Sequence, residues 1–519
     1  MNHMKFINKI SAVLVICAGV FSATSCDVLE EPQLNLPFTD DTDYTDTETM
    51  QSFLIGAYAR FQQFGWEQYP LIAVRGDDVN SGGLGDQQDY QLTDEYSYNV
   101  GFWMYNSVWQ GFYTDILDFH SAMEQIAKFK DHVPNPAVAD QYIAEVKVLR
   151  AFLLLQIVRN WGTVFIPTSS RASDFLVMEL SSKDQVMQHI SNQMDEAIPL
   201  LPNVRPNQRT DIPGGVTKHT ALAIKAMANL ELENYQEVAD ATSEIIASGL
   251  FTLQSDFYEL FKIPGKLSDE NLLELQYSDL GQGSGTVFPS DNAFNAFFGP
   301  QSWTPAVTGS GGGWGFYEPS LKYIKFMLDR DESVRLETSV IFTNRGITEL
   351  KTDPEYATLP GWITNTTRDG DVFNDGSRAL FVSGKHYLPS NQLTTGRTNY
   401  ATNKNFICIR YAEVLLMHAE ALTRGATSSS ITALQAVNLV RSRADVPALL
   451  AVTSEDVMDE KFAELAMEWG IRYFDLIRLG DTNELSYDGR TFTDNKTYLP
   501  YPQAQQDQLP ILRNTNNNE

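Results

Sequence analysis

The chain has 519 residues, 43% hydrophobic and 20% charged, which is ample for a large packed core and excludes a disulfide scaffold or a mostly disordered polymer. With 38 Lys and Arg against 66 Asp and Glu, the formal charge is −28. That balance excludes nucleic-acid binding by phosphate neutralisation and adhesion to anionic lipid through a polybasic patch. Cys17, Cys26 and Cys408 are the only cysteines, too few to staple the chain or to build a conventional zinc site.

Residues 1–25 read as an address rather than as fold. Lys5 and Lys9 precede an uncharged apolar run, Ile10 to Phe21, and small residues lead to Cys26 in SATSC. The run is too short for a spanning helix and reads as a secretory signal, with an N-terminal membrane anchor as the alternative. A cysteine directly after small residues resembles a bacterial lipoprotein cleavage box, without the usual Leu three residues earlier. On that reading Cys26 becomes the acylated first residue, and its acyl chains hold a soluble body at a membrane. Cys408, in FICIRYAEVLL, reads as a buried, inert thiol. Residues 26–46, rich in Asp, Thr and Pro, fit an extended tether. Asp40, Asp41, Asp43 and Asp46 cluster there without EF-hand spacing, so no metal site is predicted.

Apolar spacing predicts a first helix over 47–64, followed by a polar, Gly-rich stretch from Arg75 to Asn99 that is too long for an ordinary connection. Helices are predicted over 102–129 and 137–161, the second stopped by Gly162, with Val164 to Pro167 extended. Ser182 to Leu201 forms another. Val216 to Ser248 reads as a helical hairpin turning at Asn234-Tyr235, its small residues allowing close helix approach. From 251 to 400 the helical period is lost amid Gly, Asn, Thr, Pro and aromatic residues, which predicts loops and a few short strands. A second hairpin is predicted from Phe406–Thr423 and Ser430–Arg443, and a last helix over Glu455–Leu479. The expected fold class is mainly α: helical repeats of tetratricopeptide type carrying a large irregular insertion.

No Walker loop, HExxH motif, dinucleotide fingerprint or nucleophile elbow occurs. His219 and His418 sit within helical patterns and read as packed or surface residues. Asp77-Asp78 could flank a glycosidic bond, or could simply be a solvated pair. In the last helix, Glu468 precedes Arg472 by one turn and Asp475 could close the network, a pattern that ties helices together.

Several phrases, in order, resemble the SusD/RagB family of surface lipoproteins that accompany TonB-dependent transporters in Bacteroidetes. They are EVKVLRAFLLLQIVRNWGTVFIP (145–167), DEAIPLLP (195–202), TKHTALAIKAMANLELENYQEVADAT (217–242), RYAEVLLMHAEAL (410–422), VNLVRSRADVP (437–447), AELAMEWGIRYFDLIRLG (463–480) and YLPYPQ (498–503). The chain departs from the family near His120, where Asn is usual, and in its LRNTNNNE ending. The resemblance implies four tetratricopeptide-like helix pairs, with a helical part over 47–250 and a loop-rich part over 251–519 packed as one compact domain. It also implies a non-enzymatic role without cofactor: an outer-membrane, cell-surface lipoprotein that captures an oligosaccharide, or a peptide, for a SusC-like barrel. A surface glycoside hydrolase is the competing reading.

A glycan site needs aromatic platforms beside amides and carboxylates. Two stretches supply both, Arg75–Asn106 and Trp303–Tyr317. The resemblance to starch-binding relatives singles out Asp78, Trp103 with Asn106, and Trp303; Trp314 and Tyr317 complete the candidate set. Trp103 fits site and core equally, and Trp314, within GGGWG, could be a structural plug. Trp109, Tyr113, Trp161 and Trp469 read as packing residues.

Overall fold

Every side chain from Val148 to Trp161 is buried, so the helix that carries them must be covered on all its faces. A computed structural model describes residues 42–63, 72–82, 88–278, 294–299, 303, 313–394 and 402–513. It divides the chain into two units, 1–46 and 47–519. The signal, Cys26 and all of the tether before residue 42 lie outside the described residues.

The helices of the first half are α1 (Thr47–Gln63), α2 (Gln88–Asp94), α3 (Trp103–Phe129), α4 (Pro136–Trp161), α5 (Lys183–Ala197), α6 (Lys218–Glu231) and α7 (Tyr235–Ala247). From α3 onward each packs on the next, and α1 lies against α3 and α4. Their ends follow local chemistry. Asn135 caps α4 ahead of a Pro at the first position, and Ser182 with Gln185 forms a capping box on α5. Gly162 ends α4 at φ 71°, where a Cβ would meet the Tyr498 ring at 2.6 Å. Apart from α2, which stands in the stretch read from sequence as a polar, Gly-rich connection, these spans match the predicted helices to within about a turn.

The second half contains more helix than its sequence suggests. Between β2 (Asn271–Leu275) and β5 (Phe381–Ser383) stand β3 (Tyr317–Pro319), α8 (Leu321–Asp329), α9 (Val334–Ser339), β4 (Val340–Phe342) and α10 (Asn344–Leu350). Residues Phe406–Arg410, predicted as the start of a helix, form strand β6, antiparallel to β2. All five side chains of each strand are buried, and a short apolar run of this kind reads equally as buried strand or helix. Then come α11 (Tyr411–Thr423), on which α7 packs, and α12 (Ala433–Arg443). The predicted last helix is two, α13 (Ser454–Leu465) and α14 (Ile471–Leu479), and α15 (Gln503–Gln508) lies near the C-terminus. No described helix is long and apolar enough to cross a membrane.

The break between α13 and α14 changes every ion pair predicted there. Met467, Trp469 and Gly470 all have positive φ, and a Cβ on Gly470 would meet the Ile72 carbonyl at 2.7 Å. Glu468 is therefore not one helical turn before Arg472. It accepts instead from Arg410 at 2.8 Å and Lys385 at 2.6 Å. Arg472 pairs with Asp77 at 2.8 Å, and Asp475 with Lys461 at 2.6 Å.

Glu464, fully buried, accepts from Arg410 at 2.5 Å, from Arg335 at 3.3 Å and from Arg443. Glu270 joins through Arg410 at 3.0 Å and Glu460 through Arg335 at 2.6 Å. Burial opposes the Glu464 charge, but the guanidinium groups of Arg443, Arg410 and Arg335 prevail and hold its carboxyl well below the usual range.

Next to this lattice, Asp77 and Asp78 join three elements. Asp77 meets Lys322 of α8 and Arg472 of α14, each at 2.8 Å. Asp78 accepts the Met467 N–H at 2.6 Å, and burial pushes its carboxyl up to about 6. The segment that follows is β1 (Val79–Ser81), paired antiparallel with β3.

Removing one partner from the lattice strands buried charge. Glu464→Gln is expected to lower unfolding free energy at pH 7 by about 3–5 kcal/mol. The depressed carboxyl contributes stability above its unfolded value, so the deficit should shrink as pH falls below about 4. A variant within about 0.5 kcal/mol of the parent in denaturant titration would contradict the lattice's role. Asp78 has the opposite sign. Its raised carboxyl binds a proton in the folded state first, so its contribution grows as pH falls from about 6 towards 4. Asp78→Asn should flatten the stability gain between those values, and identical pH slopes for both proteins would refute this.

Candidate functional site

The β1–β3 ladder brings together the two stretches nominated from sequence. Asn80 faces Glu318 and Ser81 faces Tyr317, while the Gly82 N–H donates to the Phe316 carbonyl at 2.6 Å. Side chains of the two stretches then divide between interior and surface.

Three nominated residues are interior, which corrects their assignment to a ligand-contacting surface. Asp78 is 2% exposed and engaged with the Met467 N–H. Trp303 is 3% exposed, stacked on Phe373 at 5.1 Å and edge-on to Tyr387 at 5.3 Å, within a cluster that includes Ile341 and Val382. Tyr317 is fully buried against Tyr90 and Phe298, each at 5.5 Å. Each belongs to a strand or cluster closed by chain far away in sequence. Asp77 is fully buried too, so the acid pair that a glycosidase reading would use is committed to Lys322, Arg472 and the backbone. Asn80 is held by the Tyr487 hydroxyl at 2.6 Å.

The other three remain within reach of solvent. Trp103 is 58% exposed at the first position of α3, because its neighbour Phe102 turns inward instead, at 3%. Asn106 lies one turn on, partly buried. Its amide donates to Gln110 at 3.0 Å and its carbonyl accepts from Gln505 of α15 at 2.8 Å. Trp103 and Asn106 thus share a helix face, an indole plate beside a row of amides. Trp314 is half-buried, with Phe297 at 5.2 Å and Phe316 at 5.3 Å.

Ring contacts connect these two tryptophans. Trp103 touches Phe102 at 6.1 Å, Phe102 touches Tyr90 at 5.1 Å, and Tyr90 stacks on Phe316 at 5.8 Å. Phe316 then reaches Trp314. Arg378 lies over Phe316 at 4.7 Å and donates to the Trp314 carbonyl at 2.9 Å. Tyr90, Phe316, Arg378 and Gln505 were not anticipated. The WGFY run at 314–317 held a clue to Phe316, since alternate residues of an extended segment face alternate sides; Arg378 and Gln505 had no local signal.

Such a ridge offers apolar faces and amide hydrogen-bonding groups but, among the described residues, no paired free carboxylates. Among the described residues no cluster of His, Cys, Asp and Glu could hold a metal. The remaining candidates behave as packing groups. Trp109, Tyr113, Trp161 and Trp469 are buried. His418 is satisfied by Thr242 at 2.9 Å and Ile431 at 3.0 Å, and buried His219 bonds through Nε2 to the Asn203 side-chain oxygen at 3.0 Å. Cys408 is buried, and that burial pushes its thiol well up.

Known proteins share this architecture. The family model described as SusD family matches residues 269–517, and the model described as starch-binding associating with outer membrane matches 77–248. A SusD-like protein of Bacteroides ovatus is 23% identical over 487 residues, covering 90% of this chain and 81% of the relative. A SusD-like protein of Formosa agariphila is 23% identical over 536 residues, covering 93% and 95%. Among solved structures, surface glycan-binding protein A from Bacteroides thetaiotaomicron in complex with laminarihexaose superposes with a TM-score of 0.72 at 23% identity, covering 91% of this chain and 99% of that one. A laminarin-binding SusD-like protein gives 0.73 at 22% identity, covering 90% and 98%. Ordered motifs, helical repeats and these matches agree: the chain belongs to the SusD/RagB family.

Proposed function

We propose that the protein is a cell-surface lipoprotein, anchored in the outer membrane through Cys26, that captures an oligosaccharide without catalysis and passes it to a SusC-like TonB-dependent barrel. The observation that carries the reading is the exposed Trp103 beside Asn106, Gln110 and Gln505. An indole face covers the CH face of a pyranose, and amides meet its hydroxyls. Trp314 at the other end of the ridge supplies a second apolar contact. The solved relatives whose titles name laminarin and laminarihexaose support a glycan as the ligand class, and β-glucan oligosaccharides are the first to try. Burial of Asp77 and Asp78 favours capture over hydrolysis.

Calorimetry on residues 27–519 against laminari-oligosaccharides and other glycans tests this. Trp103→Ala should weaken binding about tenfold or more, and Trp314→Ala by a smaller factor. Trp303→Ala should lower the unfolding midpoint while leaving affinity within about twofold of the parent once folded. Tight binding that ignores Trp103 and Trp314 would remove the proposed site. Anchoring is tested separately: Cys26→Ser should release the protein from the membrane fraction and abolish labelling by a fatty-acid analogue.

A further inference from the structure

A groove of about 630 Å³ opens between α8, α13, α14 and the turn after α14, and the glycan reading does not use it. Its volume falls within the range of ligand sites. Met458, Leu476 and Leu479 form an apolar floor beside Phe326 and Phe462. Both rings already carry a guanidinium, Arg330 over Phe326 at 5.1 Å and Arg472 over Phe462 at 4.1 Å. They therefore offer a pyranose no such platform as Trp103 does.

The charges divide unevenly. The four cations at the groove are matched by buried carboxylates: Lys322 and Arg472 by Asp77 at 2.8 Å, Arg424 by Glu420 at 3.2 Å and Arg330 by Glu460 at 3.2 Å. Lys322 is bonded to Glu484 as well, at 2.7 Å. Around the rim, Glu455 and Asp481 are exposed and have no side-chain partner among the described residues. The Asp459 side chain is 48% exposed, with a 3.5 Å approach from Arg330. Carboxylates in surplus above an aliphatic floor match a ligand that alternates cationic and apolar groups.

We propose that this groove is a second binding site, for an extended basic polypeptide segment. Its aliphatic side chains lie on Met458 and Leu479, and its lysine or arginine groups meet Glu455, Asp459 and Asp481.

The test is calorimetric titration of residues 27–519 with a short blocked peptide alternating leucine and lysine, and with its leucine–glutamate counterpart. The lysine peptide should bind one-to-one and weaken with salt. Glu455→Lys with Asp481→Lys should weaken it about tenfold or more and admit the glutamate peptide. Leu479→Asn should weaken the lysine peptide without reversing the preference. Equal charge reversals at exposed Glu179 and Asp131 should change nothing, which separates the groove from general attraction to an acidic surface. Absence of binding, or equal loss from the remote reversals, would overturn the proposal. So would loss of the laminari-oligosaccharide response in the groove variants, since a neutral glycan would then occupy the groove.

Discussion

One buried carboxylate organises the second half of this protein. Glu464 gathers Arg410 from the end of β6, Arg443 from α12 and Arg335 from α9, and Glu468 takes the other side of Arg410 at 2.8 Å. Charges so deep are tolerable only where every partner is present. Beyond Leu465 the chain leaves the helix, with positive φ on Met467 and Trp469, while Glu464 and Glu468 both meet Arg410. That turn points the Met467 N–H at Asp78 and thereby fixes the start of β1. Through β1 and β3 the same constraint positions Phe316 and, two residues before it, Trp314. The proposed binding surface is held by electrostatics in the core, some distance along the chain from any ring it displays.

The aromatic ridge has an inner and an outer layer. Phe102, Tyr90 and Tyr317 are sealed below, while Trp103 stands out and Trp314 is half-covered. Inner rings have no ligand to meet; they remove rotational freedom from the outer ones. A platform held in this way loses little entropy when a flexible chain of sugars settles on it.

Much of the scaffold was legible because its causes are local. Spacing of apolar residues, the Asn135-Pro136 start, the Ser182 capping box and the Gly162 stop each act within a few residues, and those helices were found. The misses have distant causes. Phe406–Arg410 is a strand because Asn271–Leu275 lies beside it, and nothing within FICIR says so. The break before Ile471 answers to Asp78, almost four hundred positions upstream. Trp303 and Trp103 looked alike as tryptophans in polar loops, yet Phe373 and Tyr387 enclose one, while an inward Phe102 leaves the other outside. For the same reason Asp78 reads from sequence as a ligand group, whereas in the fold the Met467 N–H claims it.

Trp103 and Trp314, not their buried counterparts, are the proposed ligand contacts. Fluorine NMR of protein labelled with 5-fluorotryptophan reports each indole separately, with single Trp→Phe variants assigning the signals. On titration with a binding oligosaccharide, the Trp103 and Trp314 resonances should move while those of Trp303, Trp109, Trp161 and Trp469 stay in place. Saturable binding that shifts Trp303, or leaves Trp103 untouched, would contradict the account.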